Sequence, residues 1–192
     1  MSLDAGGLAA FEPRLDRALA AGIDIACLRL SVAGLDDGAA RGLLKRIAAR
    51  VQPQGIALLV EDRPDLVAAT GIDGVHLTAL PAKPDRLRRE LGPERILGIA
   101  CNLSRHDAMV AGEAEADYVS FAGEAEDLMD LTGWWAALMT VPCVAEGVAS
   151  PEEARSLAEA GADFVLPAAS LWTPDDPAPA LRALAAAIRP QA

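Results

Sequence analysis

Short apolar runs alternate along this chain with amphipathic segments of helical period. The apolar runs lie near Ile23–Leu30, Ile56–Val60, Val75–Leu77, Ile96–Ala100, Tyr118–Phe121, Val141–Ala145 and Phe164–Leu166. Each is too short for a core helix and is bounded by Gly, Pro or acidic residues. Together they read as strands covered on both faces. Between them, Pro13–Ala21, Gly38–Val51 and Pro179–Ile188 carry apolar residues at helical spacing. Ser150-Pro151-Glu152-Glu153 is a capping-box pattern with Pro at the first helical position, and it predicts a helix ending at Gly161. Strands alternating with helices of this length predict a parallel sheet with helices outside it.

The pattern also repeats. "AGIDIACLRL" at Ala21, "TGIDGVHL" at Thr70, "AEADYVSF" at Ala114 and "AGADFVLP" at Ala160 resemble one another, roughly two βα units apart. The Gly suits a helix C-terminus, and the Asp two residues on is expected to bond backbone groups in the turn. A repeat of this spacing predicts one (β/α)8 barrel domain over residues 1–192. Seven strands are visible and an eighth is needed before Pro13. Only "MSLDAGGLAA" is available there, so a weak or missing first strand is expected. A doubly wound open sheet is the alternative, and it needs a crossover reversal that the pattern does not contain.

Composition narrows the function. Lys and Arg number 17 against 28 Asp and Glu, for a formal charge of −11. That balance excludes a nucleic-acid backbone or an anionic membrane surface as partner. No apolar stretch approaches the ~18 residues of a membrane span, and the N-terminus lacks a signal-peptide pattern. Cys27, Cys101 and Cys143 have neither disulfide nor zinc spacing. They read as small buried hydrophobes in a reducing, cytoplasmic setting.

In such a barrel, ligands meet the loops that follow the C-terminal ends of the strands. Those loops contain Arg29-Leu30-Ser31, Glu61-Asp62-Arg63, Thr78-Ala79-Leu80-Pro81, Ala100-Cys101-Asn102, Ala122-Gly123-Glu124, Glu146-Gly147-Val148 and Pro167-Ala168-Ala169-Ser170. The run Ala57–Val60 therefore ends in two carboxylates on the functional face. Asp62 has a plain structural reading as the cap of the next helix, while Glu61 is surplus to that need. His76 reads as a hydrogen-bonded core residue and His106 as solvent-facing. Trp134-Trp135 is expected to place one ring in the core and leave the other at a subunit contact, which leaves room for a homodimer. No Ser-His-Asp, Cys-His or Walker pattern occurs.

At this point the residues resemble a family. "LLVEDRPDLVAATGIDGVHL" is similar to a segment of thiamine phosphate synthases, and the likeness continues through "CLRLS", "ILGIACNLSRHDA", "ADYVSF" and "VPCVAEGVASPEEARSLAEAGADFV". The TenI-type thiazole tautomerases share that scaffold. The resemblance implies joining of a pyrimidine pyrophosphate to a thiazole phosphate with Mg²⁺, releasing pyrophosphate. It implies that Arg29 faces the pyrophosphate, that Asp62 binds the metal, and that Gly147 and the neighbourhood of Ser170 form phosphate loops. The departures are equally specific. Cys27 and Ser31 replace Gln and Lys, and Glu61 replaces the asparagine that holds the pyrimidine. Thr78–Pro81 lacks the second metal carboxylate. Asn102 stands at the tautomerase histidine, and Glu146-Gly147-Val148 has lost one glycine.

The expected function is thus a divergent thiamine phosphate synthase, with Arg29, Glu61 and Asp62 at the reacting centre and a phosphorylated pyrimidine or thiazole as ligand. Its activity is expected to be weak or altered, because acids outnumber cations at the mouth. Two alternatives remain: a non-catalytic ligand-binding or regulatory barrel with an acidic mouth, and an isomerase or lyase with Glu61 as base.

Overall fold

Residues 5–188 are described by a computed structural model of the chain. Seven strands, β1 (Cys27–Leu30), β2 (Ala57–Glu61), β3 (Gly74–Leu77), β4 (Ile96–Ala100), β5 (Tyr118–Phe121), β6 (Cys143–Val148) and β7 (Phe164–Pro167), form one sheet in sequential order. Every pairing is parallel. Around them lie α1 (Ala5–Leu19), α2 (Asp37–Val51), α3 (Pro64–Thr70), α4 (Pro84–Leu91), α5 (Arg105–Glu113), α6 (Ala125–Leu138), α7 (Pro151–Ala160) and α8 (Ala178–Ile188). Sequential order removes the doubly wound alternative. The sheet is strongly curled. Arg29 on β1 and Glu146 on β6 approach to 2.6 Å, whereas five interstrand steps of about 4.8 Å in a flat sheet would leave them about 24 Å apart.

Among the described residues, β7 and β1 are not paired, so the barrel has an open seam where the pattern expects its weakest strand. "MSLDAGGLAA" supplies no strand from Ala5 onward. Those residues are already helical, and residues 1–4 lie outside the described part. The helix runs through Pro13 because Phe11, Leu15 and Ala18 recur at helical spacing and are buried. On its polar side Glu12 pairs with Arg46 and Arg50 of α2, at 3.0 and 2.9 Å. The strand expected from Ile23 starts only at Cys27, because β2 offers no partner before Ala57. Cys27 is exposed at this edge, unlike Cys101 and Cys143, which are buried as expected.

Period-two alternation divides each strand between two environments. Leu58, Val60, Val75, Leu97, Ile99, Val119, Phe121, Cys143 and Ala145 pack outward in the apolar core with the helices. The opposite face carries Arg29, Glu61, His76, Tyr118, Ser120 and Glu146 toward the C-terminal ends of the strands, with apolar Leu59, Val144 and Leu166 on the same face, so the mouth of the curl is polar. Gly98 lies on this face too, and a Cβ there would sit 2.0 Å from Cζ of Tyr118. The tyrosine ring therefore needs a glycine beneath it.

The repeated Asp has a sharper task than a local turn bond. Each accepts from the first amides of the preceding strand. Asp73 takes Leu58 N–H at 2.7 Å, Asp117 takes Leu97 N–H at 2.7 Å and Asp163 takes Cys143 N–H at 2.8 Å. In return, the N–H of Asp73, Asp117 and Asp163 bonds the carbonyl of the same partner residue. Each pair of bonds closes a ring that fixes the register of two strands. Asp117 also binds buried Arg88 at 2.6 Å. Asp24, the fourth copy, is exposed and bonds no backbone amide of another strand among the described residues. Asp117→Ala should lower unfolding free energy by about 2–4 kcal/mol, since it strands the Leu97 amide and leaves buried Arg88 its carbonyl partners at Gly92 and Arg95 but no counter-charge. Asp24→Ala should stay within about 0.5 kcal/mol of the parent. Urea unfolding of the two variants checks this, and equal losses would refute the clamp.

Candidate functional site

The curl brings the ends of β1, β2, β3 and β6 into one mouth. Arg29 is its centre. Its Nη1 and Nη2 donate to Oε1 and Oε2 of Glu146 at 2.6 and 3.2 Å, a two-pronged contact. Its Nε lies 3.3 Å from Oε1 of Glu61. The three side chains are only 13–21% exposed. Burial works against the charge on Arg29, but the bond to Glu146 and the charges of Glu146 and Glu61 outweigh it and raise its pKa. Burial likewise opposes ionisation of Glu146, and the bond and charge of Arg29 overcome it, so Glu146 is held below the usual carboxylate range. One guanidinium thus faces two carboxylates.

Beside this triad, His76 Nδ1 lies 2.8 Å from the Tyr118 hydroxyl, and the two rings stack at a centroid distance of 5.7 Å. Burial and then the charge of Arg29 lower the His76 pKa to about 4, against the pull of Glu146 and Asp62. Burial raises that of Tyr118. Both rings are therefore neutral near pH 7. His76 Nε2 is buried without a hydrogen-bond partner, 3.8 Å from Glu146 Oε1. Its expected role as a hydrogen-bonded core residue holds at one nitrogen, and the other faces the hollow.

Asp62 is not a helix cap. The cap position of α3 is Arg63, without a side-chain bond. Asp62 stands at φ +52°, and its carboxylate oxygens accept from Thr78 N–H at 2.9 Å and Thr78 Oγ1 at 2.6 Å. It ties the loop after β3 to the end of β2. Among the described residues, no three His, Cys, Asp or Glu side chains group as a metal site. One carboxylate already engaged by Thr78 does not fit a resident Mg²⁺ of the two-carboxylate kind.

Gly147 has φ +82° and sits in a register shift between Glu146 and Val148. That bulge ends β6 and turns the chain at the rim. Ser170 is exposed in the 3₁₀ turn Ala169–Trp172, just past β7. Two further arginines stay out of the mouth. Arg63 is spent on Asp37 and Asp65 at 2.8 and 2.7 Å, and Arg105 stacks on Trp134 at 4.8 Å. Trp135 is buried and donates to the Val141 carbonyl at 2.7 Å, and Trp134 is half-buried. His106 is exposed. The structure brings Arg29 and Glu61 within 3.3 Å and sends Asp62 to Thr78. Glu146, which the sequence placed on the functional face only as a loop acid, and Tyr118 and Ser120, which it did not single out as site residues, face the interior. The signal was present: "LLVE" and "CVAE" both end an apolar run in Glu at an inward position of the alternation.

These features define an α/β barrel of parallel strands with a cluster of charged and polar side chains at their C-terminal ends. The family pattern described as thiamine monophosphate synthase matches residues 4–169. Thiamine-phosphate synthase of Rhodospirillum centenum is 40% identical over 182 residues, covering 90% of this chain and 87% of that protein. The enzyme of the same name from Erythrobacter litoralis is 37% identical over 178 residues, covering 86% and 84%. In shape, thiamine phosphate pyrophosphorylase of Pyrococcus furiosus superposes with a TM-score of 0.77 at 18% identity, covering 94% of this chain and 91% of that one. The chain belongs to the thiamine monophosphate synthase family.

The buried imidazole sets a pH dependence. An ordinary His takes up its proton near pH 6.5, and folded His76 does so only near 4. The unfolded chain therefore binds the extra proton first. The His76 contribution is fully present above about pH 6.5 and is lost as pH falls toward about 4, by up to about 3 kcal/mol. Glu146 acts in the same direction at lower pH, because its pKa is depressed. Urea unfolding at about pH 7 and about pH 5 should show a smaller acid loss in His76→Asn than in the parent. Parallel losses would refute a neutral buried imidazole.

Proposed function

We propose that this protein couples a pyrimidine pyrophosphate to a thiazole phosphate with release of pyrophosphate, at a rate reduced by the acids of its mouth. The observation that carries this reading is the convergence of Arg29, Glu61 and Glu146 within 2.6–3.3 Å at the strand ends of a chain matched to the family over residues 4–169. In this reaction a bond forms between the thiazole and the carbon of the pyrimidine substrate that bears pyrophosphate, as that carbon's bond to the pyrophosphate oxygen breaks. Negative charge grows on the departing oxygens, and a guanidinium aimed at them is worth most in a part-buried site. Arg29 is the cation available in the described mouth. Gly147 and the turn holding Ser170 would offer backbone N–H groups to the thiazole phosphate. Glu61, in the place of the pyrimidine-holding asparagine, would accept a hydrogen bond from a ring amino group. Asp62 would act through Thr78, keeping the loop after β3 in place, and no step here runs through a metal.

The reduction in rate has an electrostatic origin. A substrate bearing several negative charges must approach one arginine already shared by two carboxylates. A mouth of that sign also favours a cation, which supports the second reading of a barrel that holds a neutral or cationic ligand without turnover. With both substrates and Mg²⁺ in the assay, turnover should fall well below the ~10 s⁻¹ of a typical enzyme. Arg29→Ala should lower it about 100-fold further. Turnover near the typical value overturns the reduced rate. No turnover, together with calorimetric binding of thiamine, favours the second reading.

A further inference from the structure

We propose that Glu146 determines the ligand specificity of this mouth, because its carboxylate fills the phosphate-binding fork of Arg29. The proposal rests on the phosphate mouth read above and adds to it a residue that governs which anions enter. A guanidinium offers planar pairs of N–H groups, and carboxylate and phosphate oxygens fit such a pair in the same way. Here the terminal pair is taken by both oxygens of Glu146, at 2.6 and 3.2 Å. The edge at Nε faces Glu61 at 3.3 Å. Arg29 thus has a carboxylate on each recognising edge. The two glutamates are not equivalent. Glu146 occupies the fork in two-pronged geometry, whereas Glu61 makes a single contact through an Nε that meets no hydrogen-bond geometry.

The placement of Glu146 is built by its own strand. It immediately precedes Gly147, whose φ of +82° and register shift end β6. The strand end that bears the candidate phosphate loop therefore also delivers the internal anion. The His76 side chain is 1% exposed, and its Nε2 lacks a hydrogen-bond partner and lies 3.8 Å from Glu146 Oε1. The interior keeps a polar atom free beside that carboxylate, and Ser120 Oγ, also buried, has no strict hydrogen-bond partner. An external phosphate group can meet the fork only after Glu146 leaves it, and a displaced carboxylate in this half-buried place loses its counter-charge. Only a ligand that replaces both contacts and tolerates a neighbouring carboxylate enters easily. An anion enters readily once Glu146 is neutral.

Calorimetric titration with inorganic pyrophosphate, in the absence of metal, tests this independently of turnover. Glu146→Gln, of nearly the same size, should bind pyrophosphate at least tenfold tighter than the parent, and adding Arg29→Ala should abolish the gain. Glu61→Gln makes the same change of charge without emptying the fork, and should gain less than threefold. Glu146→Asp, shorter by one methylene and still charged, should give an intermediate gain and serves if Glu146→Gln does not fold. Equal gains in Glu146→Gln and Glu61→Gln would reduce the effect to overall charge and overturn the proposal. So would unchanged or weaker binding in folded Glu146→Gln, or a gain that survives loss of Arg29. If the parent shows no coupling activity but Glu146→Gln gains pyrophosphate, the proposed reaction fails and this inference stands. Coupling activity without the gain gives the converse.

Discussion

The structure hangs on aspartates that pin the foot of one strand to the foot of the next. Asp73, Asp117 and Asp163 each accept a backbone N–H from the preceding strand and return their own N–H to that residue's carbonyl. Side chains alternate across a strand, so a slip of one residue would exchange the two faces completely. Leu58, Val60 and Val75 would turn into the hollow, and Glu61 and His76 would face the helices. The polar mouth exists because these carboxylates forbid that slip. A feature at the stable end of the barrel thereby sets the geometry at the reactive end, about a strand's length away.

Register alone would not hold Arg29 beside Glu146. Their strands stand five places apart, and the curl supplies the closeness. Much of that curl is maintained from outside, by apolar residues packed between sheet and helices, while the inner face mixes polar groups at the strand ends with apolar residues such as Leu59 and Val144 lower down. Gly98 illustrates the division. On the inner face it leaves room for the Tyr118 ring, and the ring in turn places its hydroxyl on His76. A side chain at position 98 would push the tyrosine into the hollow and take the histidine's partner away. The interior is therefore mixed: Leu59, Val144 and Leu166 share the inner face with the polar groups, and Gly98 makes room for the Tyr118 ring that reaches His76.

The strands were legible because apolar runs with turn residues at both ends have few other readings. Ile96–Ala100 and Tyr118–Phe121 match the observed bounds, and β6 differs because Glu146 and Gly147 look like the start of a loop. The first helix was obscured by Gly6, Gly7 and Pro13, whose local preferences give way to the packing of Phe11, Leu15 and Ala18. Asp62 misled because an acid before Arg-Pro usually caps a helix. The loop instead takes a left-handed turn at that residue and sends its carboxylate to Thr78. The pairing of Arg29 with Glu146, 117 positions apart, leaves no local trace. It follows only from the curvature of the whole sheet.

The same pairing has an energetic consequence for the mouth. A half-buried ion pair adds little net stability, because desolvation offsets most of the attraction. Removing either partner alone is far more costly than never having built the pair. Arg29 and Glu146 are therefore mutually dependent: each supplies the counter-charge that the other's burial requires. Arg63 and Arg105 cannot substitute, since one is held by Asp37 and Asp65 and the other lies over Trp134. The sign of the mouth is thus decided locally by three side chains, and the net charge of −11 spread over the surface is screened over about 8 Å at physiological salt. One guanidinium is thus the point at which the internal carboxylates and any incoming anion compete.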